Sequence, residues 1–154
     1  MLKKTPWIET FCLAALLSVA AHAFADEPEP TTGVLSVRIW NIQSDKGQIG
    51  CSLYSKSDGF PSDSAKADQR MFVRLAEGKA TCTFQGVQPG VYAVSVMHDE
   101  DKNEKLKTSM VGRPQEWWGV SNDVPPERFG PPKYDKATFK FDGGSKAIKV
   151  KLRR

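Results

Sequence analysis

Hydrophobic and polar residues alternate in short runs along most of the chain. In VLSVRIWNI (34 to 42), Leu35, Val37 and Ile39 fall on one side and Ser36, Arg38 and Trp40 on the other. A two-residue period marks a half-buried strand. QIGCSLYS (48 to 55) repeats it with Ile49, Cys51 and Leu53. Asp45-Lys46-Gly47 between these runs is a turn, so the pair reads as a hairpin. Residues 56 to 69 are polar with Gly and Pro and read as a loop, with a short helical turn near 64 to 69. MFVRL (71 to 75) and ATCTFQGV (80 to 87) are the next strands, the latter with Ala80, Cys82 and Phe84 on one face. Gln88-Pro89-Gly90 fits a tight turn, because Pro presets φ and Gly accepts a positive one. VYAVSVMH (91 to 98) follows, with Tyr92, Val94 and Val96 sharing a face that His98 continues. The period then lapses from Asp99 to about Lys136. ATFKF (137 to 141), the Asp142-Gly143-Gly144 turn and KAIKVKL (146 to 152) predict a closing hairpin. Ile148, Val150 and Leu152 face inward there, with Lys149, Lys151 and Arg153 outward.

About seven short strands with regular turns and no long amphipathic helix predict an all-β antiparallel sandwich carrying one long loop region. The N-terminus follows a different pattern. Lys3 and Lys4 precede the apolar run FCLAALLSVAA (11 to 21), and Ala23-Phe24-Ala25 supplies small residues for cleavage. Residues 1 to 25 are therefore expected to be a secretory signal peptide, since a membrane span needs roughly 20 apolar residues. Residues 26 to 33 form a polar, flexible leader, and 34 to 154 a single domain. Removing 25 of 154 residues leaves 129, enough for one core. The signal carries two Lys and one Glu, so its loss lowers the net charge from +4 to +3. The remaining cations are scattered and join no aromatic RNA motif, which argues against a nucleic-acid partner. A periplasmic or secreted location is expected, with no membrane span after cleavage. In an oxidising compartment Cys51 and Cys82, both on inward positions, are expected to form a disulfide.

Candidate chemistry concentrates in the aperiodic stretch. Asp99, Asp101 and Asn103 place side-chain oxygens at every second residue, the opening spacing of a calcium loop. The match then fails, with Glu104 where the turn needs Gly, Lys107 where an oxygen is wanted, and Met110 in place of the closing Glu. Two readings follow. One is a solvated acidic loop whose side chains cap backbone N–H groups. The other is a weak calcium site of Asp99, Asp101 and Asn103 completed by Glu116. No other cofactor is expected. His98 is the one histidine after the signal segment, and reads as a core-edge imidazole or a general base. Trp117 and Trp118, adjacent in a loop, are either a stacking platform for a sugar or peptide or a cover over the open end of the sandwich. No Gly-x-Ser-x-Gly elbow, phosphate loop or CxxC pair occurs.

Two blocks of residues match a known pattern. Gly90, Tyr92, Ala93, His98, Asp99, Asp101, Asn103, Lys105 and Leu106 form the first, and Gly112, Pro114, Glu116, Gly119, Ser121 and Asn122 the second. With these the chain resembles a family of exported bacterial proteins catalogued as domain of unknown function twenty-one forty-one, over roughly residues 34 to 152. Glu104, Lys107 and Trp117 depart from its pattern, so any calcium site of the family is expected to be degraded here. The Pro-Gly-x-Tyr strand is also similar to transthyretin-like and immunoglobulin-like sandwiches, a likeness of fold alone. The expected function is an exported, non-enzymatic module binding an unknown ligand, ion or protein partner through residues 98 to 136, with His98, Asp99, Glu116, Trp117, Trp118 and Asn122 as the binding candidates. The rival is a hydrolase-like enzyme using His98 with Asp99 or Glu116.

Overall fold

A computed structural model describes residues 31–154. The expected signal peptide, and all but the end of the expected leader, lie outside the described residues. Among the described residues eight strands form: β1 (Gly33–Trp40), β2 (Gln48–Tyr54), β3 (Gln69–Val73), β4 (Ala80–Val87), β5 (Gly90–Asp99), β6 (Trp118–Val120), β7 (Phe139–Phe141) and β8 (Ser145–Lys151). One sheet has the order β4-β1-β8; the other runs β3-β2-β5-β6, with β7 against the start of β5. The fold is an all-β sandwich, antiparallel except where β1 and β8 run parallel. Among the described residues no helix is long and apolar enough to cross a membrane.

The inward alternation explains the core. Leu35, Val37, Ile39, Ile49, Leu53, Phe84, Val94, Val96, Val150 and Leu152 meet in one buried cluster. Cys51 and Cys82 lie inside it as a disulfide that ties β2 in one sheet to β4 in the other, with Cα atoms 6.4 Å apart.

Both expected hairpins are absent. β1 and β2 are in different sheets, because β1 takes β4 and β8 as its two neighbours and becomes a central strand buried on its inner face. Asn41 turns the chain at φ 64°, and its side-chain amide donates to the Leu152 carbonyl at 2.8 Å, anchoring the crossing. At the C-terminus β7 pairs with β5, while β8 crosses to β1. The Gly143-Gly144 pair permits that crossing, with φ at 87° and 68°. Alternation fixes which face a strand buries, and it is silent about which strand lies beside it.

The aperiodic stretch is not a free loop. It contributes β6 and a single helical turn, α1 (Tyr134–Ala137), and folds over the outer face of the β3-β2-β5-β6 sheet. A second buried cluster forms there from Ala93, Trp118, Val120, Val124 and Ala137, joined by Phe60, Leu106 and Tyr134. β6 also closes the sandwich. Trp118 and Arg153 exchange two backbone hydrogen bonds of 2.8 Å, joining the edges of the two sheets. Gly119 lies at this seam, where any Cβ would run into the Lys151 carbonyl oxygen.

Candidate functional site

The acidic turn at the end of β5 is built from its own hydrogen bonds. Asp99 is fully buried. Its Oδ1 accepts from the Asn103 N–H at 3.0 Å; its Oδ2 accepts from the Glu104 N–H at 3.0 Å and from Gln48 Nε2 at 2.8 Å. Asp101 Oδ1 accepts from the Asn103 N–H at 3.2 Å, and Asn103 Oδ1 from the Lys105 N–H at 2.7 Å. Buried Glu116 spans the turn, accepting from the Glu100 N–H at 3.2 Å and the Lys107 N–H at 2.8 Å. These bonds hold Lys102 and Glu104 at φ of 59° and 62°, a conformation that costs non-glycine residues energy. One oxygen each from Asp99, Asp101 and Glu116 lies within 4.8 Å of the others. Three hard oxygens at that spacing suit a divalent cation, but a calcium shell wants six to eight, and backbone N–H groups already bond to both oxygens of Asp99 and Glu116 and to one of Asp101.

His98 is 0 % exposed and faces the core. Its Nε2 lies 2.7 Å from the Lys46 carbonyl, which can only accept, so Nε2 carries the proton. Its Nδ1 has no partner among the described residues. An imidazole in this position bridges the β1–β2 connection to β5. His98→Ala is expected to lower stability by about 2–4 kcal/mol, from a cavity plus an orphaned carbonyl. Chemical denaturation measures it, and an unchanged midpoint would contradict the bridge.

The remaining candidates are also held in the frame. Trp117 packs against the main core, while Trp118 is a β6 residue buried on the outer face in the second cluster. Asn122 sits at φ 61° and donates to the carbonyls of Lys136 (3.1 Å) and Thr138 (2.8 Å). Beside it, buried Ser121 accepts from the Val94 N–H at 2.9 Å and donates to the Ala137 carbonyl at 2.6 Å. Ser121 and Asn122 thus fasten α1 to β5, which accounts for the Gly-x-Ser-Asn block in terms of packing.

A groove of about 1370 Å³ lies on the outer face of the β3-β2-β5-β6 sheet. Gly50, Ser52, Phe72, Ser95, Met97 and Trp118 floor it. Residues 104 to 114 wall one side, and 61 to 65 with 126 to 132 the other. Gly50 leaves room for its neighbours; a Cβ there would meet the Phe72 ring at 2.8 Å and the Met97 methyl at 3.1 Å. On the walls Val111 and Phe129 are exposed. Lys105, Arg113 and Arg128 line the groove with no carboxylate within 4.0 Å among the described residues.

Sequence reasoning passed over the floor, because outward strand positions ordinarily face solvent. A signal was nevertheless present. Tyr54, Phe72 and Met97 put large apolar groups on the side of β2, β3 and β5 where the alternation calls for polar ones.

The site and fold together define a two-sheet β-sandwich with a self-bonded acidic turn and a grooved outer face. The chain belongs to the family described as an uncharacterized protein conserved in bacteria (DUF2141), whose model matches residues 37–149. No curated protein and no solved structure matches it.

Proposed function

We propose that this protein is an exported, non-enzymatic binding module whose ligand lies in the outer-face groove. The groove is the observation that carries the reading. It is a concave surface lined by apolar side chains and by three cations, Lys105, Arg113 and Arg128, that have no carboxylate partner among the described residues, the usual make-up of a recognition site. Residues 104 to 132 supply much of its wall, so the binding stretch expected between 98 and 136 contributes through its later part. Trp118 belongs to the floor; His98, Asp99, Glu116 and Asn122 hold the walls in place. The Cys51–Cys82 disulfide supports export, since such bonds persist in oxidising compartments. Against the hydrolase alternative, a fully buried His98 bonded to a backbone carbonyl is out of reach of a substrate.

Native mass spectrometry of the protein purified from its source tests this. Ser95 faces the groove from the middle of β5, so Ser95→Trp fills the floor and leaves the core untouched. A ligand mass present on the wild type and lost from Ser95→Trp, with melting changed by less than about 3 °C, is the expected result. A ligand mass retained by the filled variant would contradict the groove as the site.

The same reading makes the acidic turn a structural device with weak affinity for calcium, about 10⁻³ M or poorer. Calcium at about 1 mM is then expected to raise the melting temperature by no more than about 2 °C, because a ligand at its Kd contributes only RT ln 2. A rise of 5 °C or more, on the order of what saturation of a tight site gives, would reassign the turn as a metal site.

A further inference from the structure

Resting on the groove as the binding site, we propose that its occupant is an extended, acidic peptide segment of a partner protein, carrying apolar side chains between its carboxylates. The groove is large. Pockets for small molecules run to roughly 300–1,000 Å³, and this groove exceeds that at about 1370 Å³. It crosses the sheet from Arg70 and Phe72 on β3 to Trp118 on β6 and Arg153 beyond β8. Three strand spacings of about 4.8 Å make that floor about 14 Å long, which accommodates four or five residues at about 3.3 Å each.

The lining is also basic. Six basic residues line the groove against three acidic ones. Two of the three acids are already engaged, Glu104 by Arg70 at 3.1 Å and Glu127 by Lys136 at 2.8 Å. Lys105 and Arg113 on one wall and Arg128 on the other are left to attract carboxylates from both sides. A trough flanked in this way recruits an anionic chain by its field and orients it along its length.

The floor adds polar and apolar partners. The Ser52 and Ser95 hydroxyls line it and can bond to polar groups of a peptide, and Arg153 lines the β6 end. The apolar surfaces of Phe72 at the β3 edge and of Met97 on β5 suit the intervening side chains. Because the groove crosses the strands, the peptide cannot extend the sheet, and side chains carry its recognition.

Fluorescence anisotropy with the full protein tests the proposal. The probes are fluorescein-labelled hexapeptides of alternating Glu and Leu, of Lys and Leu, and of Ser and Leu. The Glu–Leu peptide is expected to bind with a Kd of about 100 µM or tighter. The Lys–Leu peptide should bind at least about tenfold more weakly, and raising salt from about 0.05 to about 0.5 M should weaken the Glu–Leu peptide several-fold. Ser95→Trp should abolish binding, and Arg113→Glu with Arg128→Glu should narrow the gap between the acidic and basic peptides. If all three peptides bind equally and Ser95→Trp still blocks them, the acidic inference is overturned while the groove reading survives. Glu–Leu binding undiminished in Ser95→Trp overturns both. Absence of binding by every peptide at about 1 mM overturns the inference alone, the ligand mass on the native protein then deciding the groove.

Discussion

Removing the Cys51–Cys82 bond is expected to destabilise the domain by about 3–4 kcal/mol. The two residues are 31 apart in sequence, and the bond joins β2 of one sheet to β4 of the other through the middle of the core. In the chain-entropy account, a closed loop of that length restricts the unfolded ensemble by about 3.7 kcal/mol at 25 °C. The sulfurs are also buried among Val37, Leu53, Phe84 and Val96, so a Cys51→Ala, Cys82→Ala double variant loses packing as well. The melting temperature should fall by on the order of 10 °C or more. Urea melts of the oxidised, reduced and double-variant proteins check this. A loss below about 1 kcal/mol would mean that sheet packing alone fixes the two faces together.

The second large effect is expected at Asp99. Its carboxylate accepts three hydrogen bonds from a fully buried position, two from backbone N–H groups of the turn and one from Gln48. Asp99→Ala removes all three acceptor contacts and leaves those donors to find water. Each unmet buried donor costs about 1–3 kcal/mol, so a total near 3 kcal/mol is expected. Asp99→Asn keeps one acceptor oxygen and should cost about half as much. The turn holds Lys102 and Glu104 at positive φ only while these bonds exist, so amide exchange of residues 102 to 107 should accelerate in Asp99→Ala. If stability falls while exchange of the turn is unchanged, the carboxylate supports the core rather than the loop.

The inner faces of the strands were readable from alternation. Leu35, Val37 and Ile39, then Cys51, Cys82 and Val94, reach the core where the two-residue period puts them. Their neighbours were not readable, because period two assigns a face and carries no information on pairing. The nearest strand in sequence looked like the hairpin partner, and for both β1 and β8 that choice fails. Of the chemistry, the residue types of the acidic turn were legible, and so was their alternative role in binding backbone N–H groups. Glu104 is tolerated at the usual glycine position because it adopts φ 62° under the bond from its own N–H to Asp99. The groove was hidden for a different reason. Its floor comes from β2, β3, β5 and β6 and its walls from three separate connections, so no contiguous motif records it. Tyr54, Phe72 and Met97 broke the expected polarity of the outer face, and such breaks have meaning only once the sheet order is known.

We propose recognition on the outer face of the β3-β2-β5-β6 sheet. The most direct test is a ¹H–¹⁵N correlation spectrum of the protein titrated with the Glu–Leu hexapeptide. Shifts concentrated at Gly50, Ser52, Phe72, Ser95 and Met97 and at the Trp118 indole are the predicted result. Shifts confined to residues 99 to 105, or to the outer face of the β4-β1-β8 sheet around Arg38 and Trp40, would contradict it.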